Sequence, residues 1–321
     1  MPDSKLKILI VRLSSLGDIL LTTPVLRSLK AKFPDAEIDF LVRERYADVI
    51  RYNPHLSTVL MYENTTGSQI RKSGYTHILD LQGNLRSKRI LSSVTAPVFS
   101  FRKYSFRKRL LVSVGLNLLK KLPPIPDRYA AAFPLLQKND GKGLELFTGR
   151  ELPTKREAKL IALCPGSRHY TKQWPKEYFE ELGKMLMEEG YRIILLGGKS
   201  DKALCQELSL SIPGAFDGST NDDLHTLAEQ MSMCRAAVCN DSGLMHIAAA
   251  TGTPLIALFG STVKDFGFAP YKAESLILEN LNVSCRPCSH IGKSHCPKKH
   301  FECMRSIKPS EVIQAIISRY A

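Results

Sequence analysis

The feature that most constrains the fold is a regular alternation of short apolar runs with helical patterns. Runs of about four to eight residues rich in Ile, Leu and Val are typical of strands buried on both faces of a parallel sheet, with helices as the connections. The predicted strands are 7–13, 37–42, 76–81, 160–163, 192–196, 236–239 and 255–259, and the predicted helices are 17–33, 176–189, 199–210 and 309–320. The pattern therefore predicts an α/β protein.

Pro24 interrupts the first predicted helix, because proline removes a backbone donor and clashes with the preceding turn. It either kinks the helix or marks a restart, with Thr23 as the cap and Pro24 at the first helical position.

The chain has 321 residues, which is more than one compact core usually holds. Breakers are dense between Lys120 and Arg156, where KKLPPIPD is followed by NDGKG and Pro153. Such a stretch is typical of a boundary between domains. We therefore predict one Rossmann-like domain over 1–150 and a second over 157–305.

The 45 Lys and Arg residues exceed the 31 Asp and Glu residues, which leaves a formal charge of +14. A field of this sign attracts nucleic acid, anionic membranes and acidic saccharides. The excess is concentrated in RSKR, 86–89, and RKYSFRKR, 102–109. The apolar stretch 110–119 that follows either lies at a membrane surface or forms a buried helix. No helix-turn-helix, finger or aromatic-rich sheet pattern supports a nucleic-acid partner.

We expect a cytoplasmic protein, with peripheral attachment to the inner membrane left open. No signal-peptide pattern occurs at the start, because Arg12 interrupts the first apolar run. The uncharged run 242–263 is broken by glycines and a proline, so we expect no membrane-spanning helix. Four of the eight cysteines, Cys164, Cys205, Cys234 and Cys239, fall inside predicted elements and are expected to be reduced.

The other four cysteines, Cys285, Cys288, Cys296 and Cys303, have three histidines among them. This spacing is compatible with either a small zinc knuckle or reduced thiols in a loop. No Asp-x-Asp pair occurs in the chain, so the usual carboxylate clamp for a metal on a nucleotide diphosphate is missing. We therefore expect no catalytic metal and no cofactor.

The loop SSLGD, 14–18, lies where the first predicted strand meets the first helix. Open α/β sheets bind ligands at such positions. Gly17 permits close approach of a ligand to the backbone, and Asp18 enters the helix. Asp18 is either a cap that complements the helix dipole or a catalytic carboxylate.

A second strand-to-helix loop is CPGSRHYTKQWP, 164–175. Its hydroxyl and cationic side chains Ser167, Arg168 and Lys172 are suited to facing a diphosphate. Trp174 is the only tryptophan of the chain and is expected to be a packing anchor.

A third loop is NDSGLMHIAAATGTP, 240–254, in which a helix is predicted to start at Ser242 or Gly243. Unpaired amides at a helix start bind phosphate, and the Ser242 hydroxyl can donate as well. Asp241 and His246 are either ligand-facing groups or an N-cap and a buried core histidine.

The sequence GGKSD, 197–201, also follows a predicted strand and opens a helix. Gly197 and Asp201 are candidates for contacts with a nucleotide ribose or base.

These motifs, in this order, resemble glycosyltransferase family nine, the ADP-heptose lipopolysaccharide heptosyltransferases, over nearly the whole chain. The segments that carry the resemblance are VRLSSLGDILLTTPVLRSLK, DLQGNLRS, PGSRHYTKQWP, NDSGLMHIAAATGTP, LFGST and the segment from CRPC to CM. The resemblance implies a GT-B fold of two Rossmann-like domains with a cleft between them. It places the acceptor on the N-terminal half and the nucleotide sugar on the C-terminal half. It also implies that the last helix, 309–321, returns to the first domain.

The resemblance assigns roles to individual residues. Asp18 matches the family's proposed base and Lys172 its phosphate lysine. Asp241, Ser242, Gly243 and His246 match its nucleotide loop, in which Leu244 flanks the adenine or ribose. Acceptor contacts are implied for Ser15, Gly17, Asn84 and Arg86. The segment Arg168-His169-Tyr170 varies among family members.

The resemblance implies an inverting transfer of heptose from ADP-heptose to the lipopolysaccharide inner core. The expected partners are thus an ADP-sugar, an acidic lipid-linked saccharide and the inner face of the cytoplasmic membrane, and not nucleic acid. A related GT-B enzyme that uses another nucleotide sugar is the main alternative. A non-catalytic nucleic-acid-binding protein is the alternative from a different class.

Overall fold

The computed structural model describes residues 6–320, and these divide into two compact units. The first unit contains the described residues up to Lys103, together with Pro123–Gly149. The second contains Tyr104–Leu122 and the described residues from Arg150 onward. Each unit is built around its own parallel sheet.

In chain order the strands are β1 (Lys7–Val11), β2 (Glu37–Val42), β3 (Thr58–Met61), β4 (His77–Asp80), β5 (Val98–Ser100), β6 (Glu157–Cys164), β7 (Arg192–Leu195), β8 (Phe216–Asp217), β9 (Cys234–Asn240), β10 (Leu255–Leu258) and β11 (Ser275–Leu278). The α-helices are α1 (Leu16–Leu20), α2 (Thr23–Lys32), α3 (Gly67–Lys72), α4 (Leu85–Ile90), α5 (Ser105–Val114), α6 (Ile125–Ala131), α7 (Lys176–Glu188), α8 (Lys202–Ser211), α9 (Leu224–Met233), α10 (Gly243–Ala250), α11 (Glu302–Arg305) and α12 (Pro309–Tyr320).

The strand order is β3-β2-β1-β4-β5 in the first unit and β11-β10-β9-β6-β7-β8 in the second. All pairings are parallel. The predicted α/β class is therefore confirmed. In a parallel sheet all strands end at the same edge, so the loops after neighbouring strands meet there.

The first predicted helix is two helices, α1 and α2. Pro24 has no N–H, and the Leu20 carbonyl instead accepts a hydrogen bond from the Thr23 hydroxyl, at 2.8 Å. The prediction of a restart is correct, but Thr22 occupies the capping position and Pro24 lies in the first turn, after Thr23.

Two segments belong to a different unit from the one expected. Residues 104–122 fall in the second unit, where Leu111 and Leu119 are buried with Phe266. The last helix, α12, belongs to the second unit and not to the first, and it contacts α7, β9 and β10. Its apolar face is buried in the same core as Trp174, and this burial is what holds it there.

Trp174 is a packing anchor, as expected. It is buried, and its indole Nε1 donates to the Ile307 carbonyl at 2.9 Å. Among residues 6–320, no helix combines the length and the apolarity that crossing a bilayer requires.

Candidate active site

In the first unit, the site begins at the loop that joins β1 to α1. Ser15 caps α1, and its backbone N–H and hydroxyl both donate to Asp18 Oδ2, at 3.2 and 2.8 Å. The other carboxylate oxygen, Oδ1, lies 2.7 Å from the guanidinium of Arg12. Both carboxylate oxygens therefore have partners on the same loop, and the side chain remains about one-fifth exposed.

The pKa of Asp18 is lowered from its ordinary value. Burial raises the pKa of this carboxyl, but the charge of Arg12 and the hydrogen bonds from Ser15 and Arg12 together outweigh burial. Asp18 is thus a carboxylate that is held ionised and oriented near the surface. Capping and proton acceptance are not exclusive roles here, because the bonds from Ser15 use Oδ2, and Oδ1, which is paired with Arg12, has a second lone pair.

The loop after β4 is connected to the loop after β1. Gln82 accepts from the backbone N–H groups of Leu13 and Ser14 at 2.8 and 3.2 Å. Arg12 donates to the carbonyls of Ser14 and Leu81 at 2.9 and 2.5 Å. The two loops therefore form one hydrogen-bonded surface at the carboxyl edge of the sheet.

Among the residues with an expected acceptor role, Ser15 and Gly17 share the loop and helix of Asp18. Asn84 caps α4, where its side-chain oxygen accepts from the N–H groups of Arg86 and Ser87 at 3.0 and 3.1 Å. The Arg86 side chain is exposed.

Lys103 is a neighbour of this surface that we did not single out from the sequence. Its side chain lies against Gly83, where a Cβ would be 3.6 Å from Nζ. Burial lowers its pKa, and the charge of Arg12 lowers it further.

In the second unit, Lys172 and Asp241 form an ion pair at 2.7 Å between Nζ and Oδ2. The same carboxylate oxygen accepts from the Thr262 hydroxyl at 2.6 Å. Three loops therefore converge on Asp241, namely those that follow β6, β9 and β10, which are neighbours in the sheet. The sequence predicted Lys172 and Asp241, whereas Thr262 was missed.

The start of α10 lies next to this ion pair. Ser242 is the N-cap residue, but its side chain makes no capping hydrogen bond. Its hydroxyl is a buried oxygen without a hydrogen-bond partner, which is costly unless a ligand provides one. Gly243 and Leu244 open the helix, and their amides are among the groups that have no partner within it. His246 is buried one turn into the helix.

The loops after β6 and β7 are also in contact. Asp201 accepts from the Gly198 N–H at 3.2 Å, and a Cβ on Gly166 or Gly197 would collide with the Asp201 side chain. Burial raises the pKa of Asp201, and the bond from Gly198 opposes this only in part. Ser167 lies in the first of these loops, which is fixed by a bond from Gln173 Nε2 to the Ser167 carbonyl at 2.7 Å.

Arg286 is a second residue that the sequence analysis missed. Its side chain is buried, is paired with Glu279 at 2.8 Å and donates to the carbonyls of Phe259, Gly260 and Thr262. It therefore fixes the loop that presents Thr262 to Asp241. The available signal for this loop was the segment LFGST, 258–262, which spans the end of a predicted strand and the residues after it.

The cysteine-rich segment packs behind the Lys172 loop. The Thr171 N–H donates to the Lys293 carbonyl, and the Lys293 N–H donates to the Thr171 hydroxyl. The ring of Tyr170 stacks on that of Phe301, with 4.9 Å between the ring centroids. Cys285 Sγ lies 3.7 Å from His300 Nε2. Within residues 6–320, no three His, Cys, Asp or Glu side chains are grouped so as to hold a metal ion.

The two sheets place this chain among α/β proteins of the GT-B type. A solved glycosyl transferase family 9 structure from Veillonella parvula has 22% identity and a TM-score of 0.76, and the similarity covers 98% of this chain and 97% of that one. The structure of the Escherichia coli ADP-heptose lipopolysaccharide heptosyltransferase II has 21% identity, a TM-score of 0.72 and 98% coverage of both chains. The predicted GT-B fold is therefore confirmed.

The sequence comparisons give the family. The model of glycosyltransferase family 9 (heptosyltransferase) matches residues 65–299. Lipopolysaccharide heptosyltransferase 2 of Escherichia coli is 25% identical over 81% of this chain and 84% of its own length. Lipooligosaccharide heptosyltransferase 2 of Haemophilus ducreyi is 24% identical over 97% of this chain and 98% of its own length. The chain belongs to glycosyltransferase family 9 and is a transferase, as the motif resemblance predicted.

Proposed function

We propose that this transferase moves a heptose from ADP-heptose to a lipopolysaccharide inner-core acceptor, with inversion at the anomeric carbon. The observation that carries the proposal is the group formed by Lys172, Asp241 and Thr262 beside the partnerless hydroxyl of Ser242. A cation, a hydroxyl and free helix-start amides together suit a diphosphate. The relatives named above act as heptosyltransferases, which supports the choice of sugar.

The donor is assigned to the second unit. The diphosphate is held by Lys172 and the amides of Gly243 and Leu244, and the Ser242 hydroxyl donates to it. Ser167 supports the phosphates from the neighbouring loop. Asp201 and Gly197 face the ribose or base, and His246 supports the loop from inside α10. These assignments are supported by the convergence of the loops after β6, β7 and β9 at one edge of the sheet.

The base is assigned to Asp18 in the first unit. Its carboxylate takes the proton of the acceptor hydroxyl while that oxygen forms a bond to the anomeric carbon, and the bond from this carbon to the diphosphate oxygen breaks. ADP leaves with the electron pair. Because Asp18 has a lowered pKa, it accepts the proton late, after the attacking oxygen has become acidic through bond formation.

No metal takes part in this mechanism. The negative charge that develops on the leaving diphosphate is stabilised by Lys172 and by preorganised amides, which are the groups that replace a metal ion in such sites. Turnover is therefore expected to be unchanged by EDTA. If EDTA abolishes turnover and a divalent cation restores it, the proposal that no metal takes part is wrong.

The acceptor is assigned to the first unit, next to Asp18, with contacts from Ser15, Gly17, Asn84 and Arg86. Lys103 adds a further cation beside Gly83. Since lipopolysaccharide precursors carry acidic groups on a lipid, the protein is proposed to work as a peripheral protein at the inner face of the cytoplasmic membrane.

A panel of ADP-, UDP- and GDP-sugars tests the proposal through thermal shift and single-turnover transfer. A ligand that binds the folded state raises its melting temperature in proportion to the logarithm of its concentration over Kd. ADP-heptose should give the largest shift and support transfer to an inner-core acceptor. A larger shift and faster transfer with another nucleotide sugar would assign the chain to a different donor within the same fold.

A further inference from the structure

The segment 104–122 combines exposed apolar side chains with a charge of a single sign. Phe106, Val114, Leu116 and Leu118 are 71%, 68%, 51% and 46% exposed. The segment contains five Lys and Arg residues and no Asp or Glu. Exposed apolar groups that cluster with basic ones mark an interaction surface and not an ordinary solvated face.

This segment is held firmly on the second unit. Leu111 and Leu119 are buried with Phe266, and Asn117 Nδ2 donates to Asp265 at 3.0 Å. Lys108 lies over the ring of Phe268, 5.4 Å from its centroid. Because the inward-facing residues are used for this packing, the exposed apolar residues have no role in the core.

The first turn of α5 and the loop that follows this helix are in contact. Helix α5 ends at Val114 and is followed by Gly115, whose φ of 74° lies in the left-handed region and lets the chain turn back. The Arg107 guanidinium then lies 3.5 Å from the carbonyl of Leu118. The start of the helix, with Phe106, and the loop after it, with Leu118, therefore contribute to one surface.

We propose that this surface, residues 104–122, docks on an anionic phospholipid bilayer, with Phe106, Val114, Leu116 and Leu118 entering the headgroup region and the basic residues pairing with lipid phosphates. Lipid offers both an apolar interior and negative charge, which matches both properties of the segment. A second copy of this chain fits less well, because two surfaces of five positive charges each repel. Single-stranded nucleic acid binds through stacked aromatic rings, whereas three of the four exposed apolar residues are aliphatic.

The inference rests on the proposed action at a membrane and names the surface that makes the contact. Its test needs neither donor nor acceptor, so a failure here leaves the transferase assignment intact.

The test uses tryptophan fluorescence with the full chain. Trp174 is buried and provides a constant background. A Phe106→Trp variant is expected to show blue-shifted, brighter emission with vesicles that contain phosphatidylglycerol, but not with pure phosphatidylcholine. A Leu210→Trp variant is the matched control, because Leu210 is 88% exposed on α8 of the same unit. Equal shifts for both variants, or no shift at position 106, would overturn the proposal.

The contribution of the basic side chains to vesicle binding is tested by sedimentation with the same vesicles. Replacing Arg107 and Arg109 with Ala should reduce binding by about fivefold per charge. Replacing Lys155 and Lys298, which are exposed elsewhere in the second unit, should change binding little. An equal loss in both double variants would mean that overall charge and not this surface is responsible. Preference for duplex DNA over anionic vesicles at the same salt concentration would also overturn the proposal.

Discussion

Each unit has a helix that starts at the carboxyl edge of its parallel sheet with a serine as N-cap residue, and the two serines differ in their surroundings. In the first unit, Ser15 stands at the start of the helix that follows the central strand β1, and its hydroxyl donates to the Asp18 carboxylate. In the second unit, Ser242 stands at the start of α10 without capping it, and its hydroxyl is buried without a partner. The helix start whose serine hydroxyl has an internal partner presents an oriented carboxylate, whereas the one whose serine hydroxyl has none is suited to an anion.

Charge sharpens this contrast. Arg12 in the first unit is buried and pairs with Asp18, so its positive charge helps to keep that carboxylate ionised. Lys172 in the second unit also pairs with an aspartate, but it is partly exposed and able to contact a ligand. In the proposed mechanism, the first unit accepts the proton and the second unit binds the leaving group.

The largest expected effect is that of Asp18→Asn. Removing a general base should lower kcat by about 10²- to 10⁴-fold. ADP affinity should stay unchanged, since the groups assigned to ADP are in the second unit. Asp35→Asn, at an exposed aspartate of the same unit, is the control and should leave both quantities unchanged. Near-normal turnover of Asp18→Asn, measured by single-turnover kinetics, would exclude Asp18 as the base.

The pH profile tests how the first unit keeps its base ionised. Because the folded-state pKa of Asp18 is lowered, activity should persist as pH falls through the ordinary titration range of an aspartate and be lost only below it. In Arg12→Gln the lowering influence of Arg12 disappears and burial, which raises the pKa, dominates. The acid limb of kcat/KM should then move up by about one to three pH units. Arg12→Lys keeps the positive charge, so the acid limb of kcat/KM should stay close to its wild-type pH.

An unchanged acid limb in Arg12→Gln would mean that Arg12 only supports the loop. Circular dichroism across the pH range separates this outcome from acid unfolding of the variant.

In the second unit, Lys172→Ala should weaken ADP binding by roughly 2 kcal/mol, which is about thirtyfold in Kd. The loss contains two contributions, the missing cation and the Asp241 carboxylate left without its partner. Lys176→Ala is the matched control, because Lys176 is exposed and pairs only with carboxylates on the surface. If isothermal calorimetry finds wild-type ADP affinity in Lys172→Ala, the diphosphate does not bind at this loop.

The edges of the sheets show where sequence reasoning ends. The predicted strands are all central ones, whose continuous apolar runs reflect burial on both faces. The four strands that were missed are β3, β5, β8 and β11, which are the edges of the two sheets. Edge strands are partly exposed, as the burial of Val98 and Phe216 illustrates, so they lack that signal.

The site shows a similar limit. Asp18, Lys172 and Asp241 were predictable because each lies in a loop between a strand and a helix. Arg12 and Arg286 were not, because their partners include carbonyls tens of residues away, and only the folded chain brings these together. The placement of α12 was likewise wrong because an amphipathic pattern shows that a face is buried but not against which surface.

Arg286→Ala tests positioning at a distance from the ligand. The loop that carries Thr262 should loosen, and ADP affinity should fall by roughly tenfold, since small displacements of binding groups are costly. Thr262→Val removes only the bond to Asp241 and leaves the loop clamped. If Arg286 acts through Thr262, the double variant should lose less ADP affinity than the sum of the single losses. Additive losses, measured on variants that still fold by circular dichroism, would mean that Arg286 affects ADP binding independently of Thr262.

The smallest effect gives the most direct comparison of the two helix starts. Ser242→Ala removes a buried hydroxyl that makes no hydrogen bond, so the ligand-free protein should melt at the same or a slightly higher temperature. ADP binding should nevertheless weaken by about fivefold, because a hydrogen bond to the diphosphate is lost. Ser15→Ala should do the opposite, leaving ADP affinity intact while raising the pKa of Asp18. If Ser242→Ala lowers the melting temperature and leaves ADP affinity unchanged, its hydroxyl is structural, and the distinction between a satisfied and an unsatisfied helix start fails.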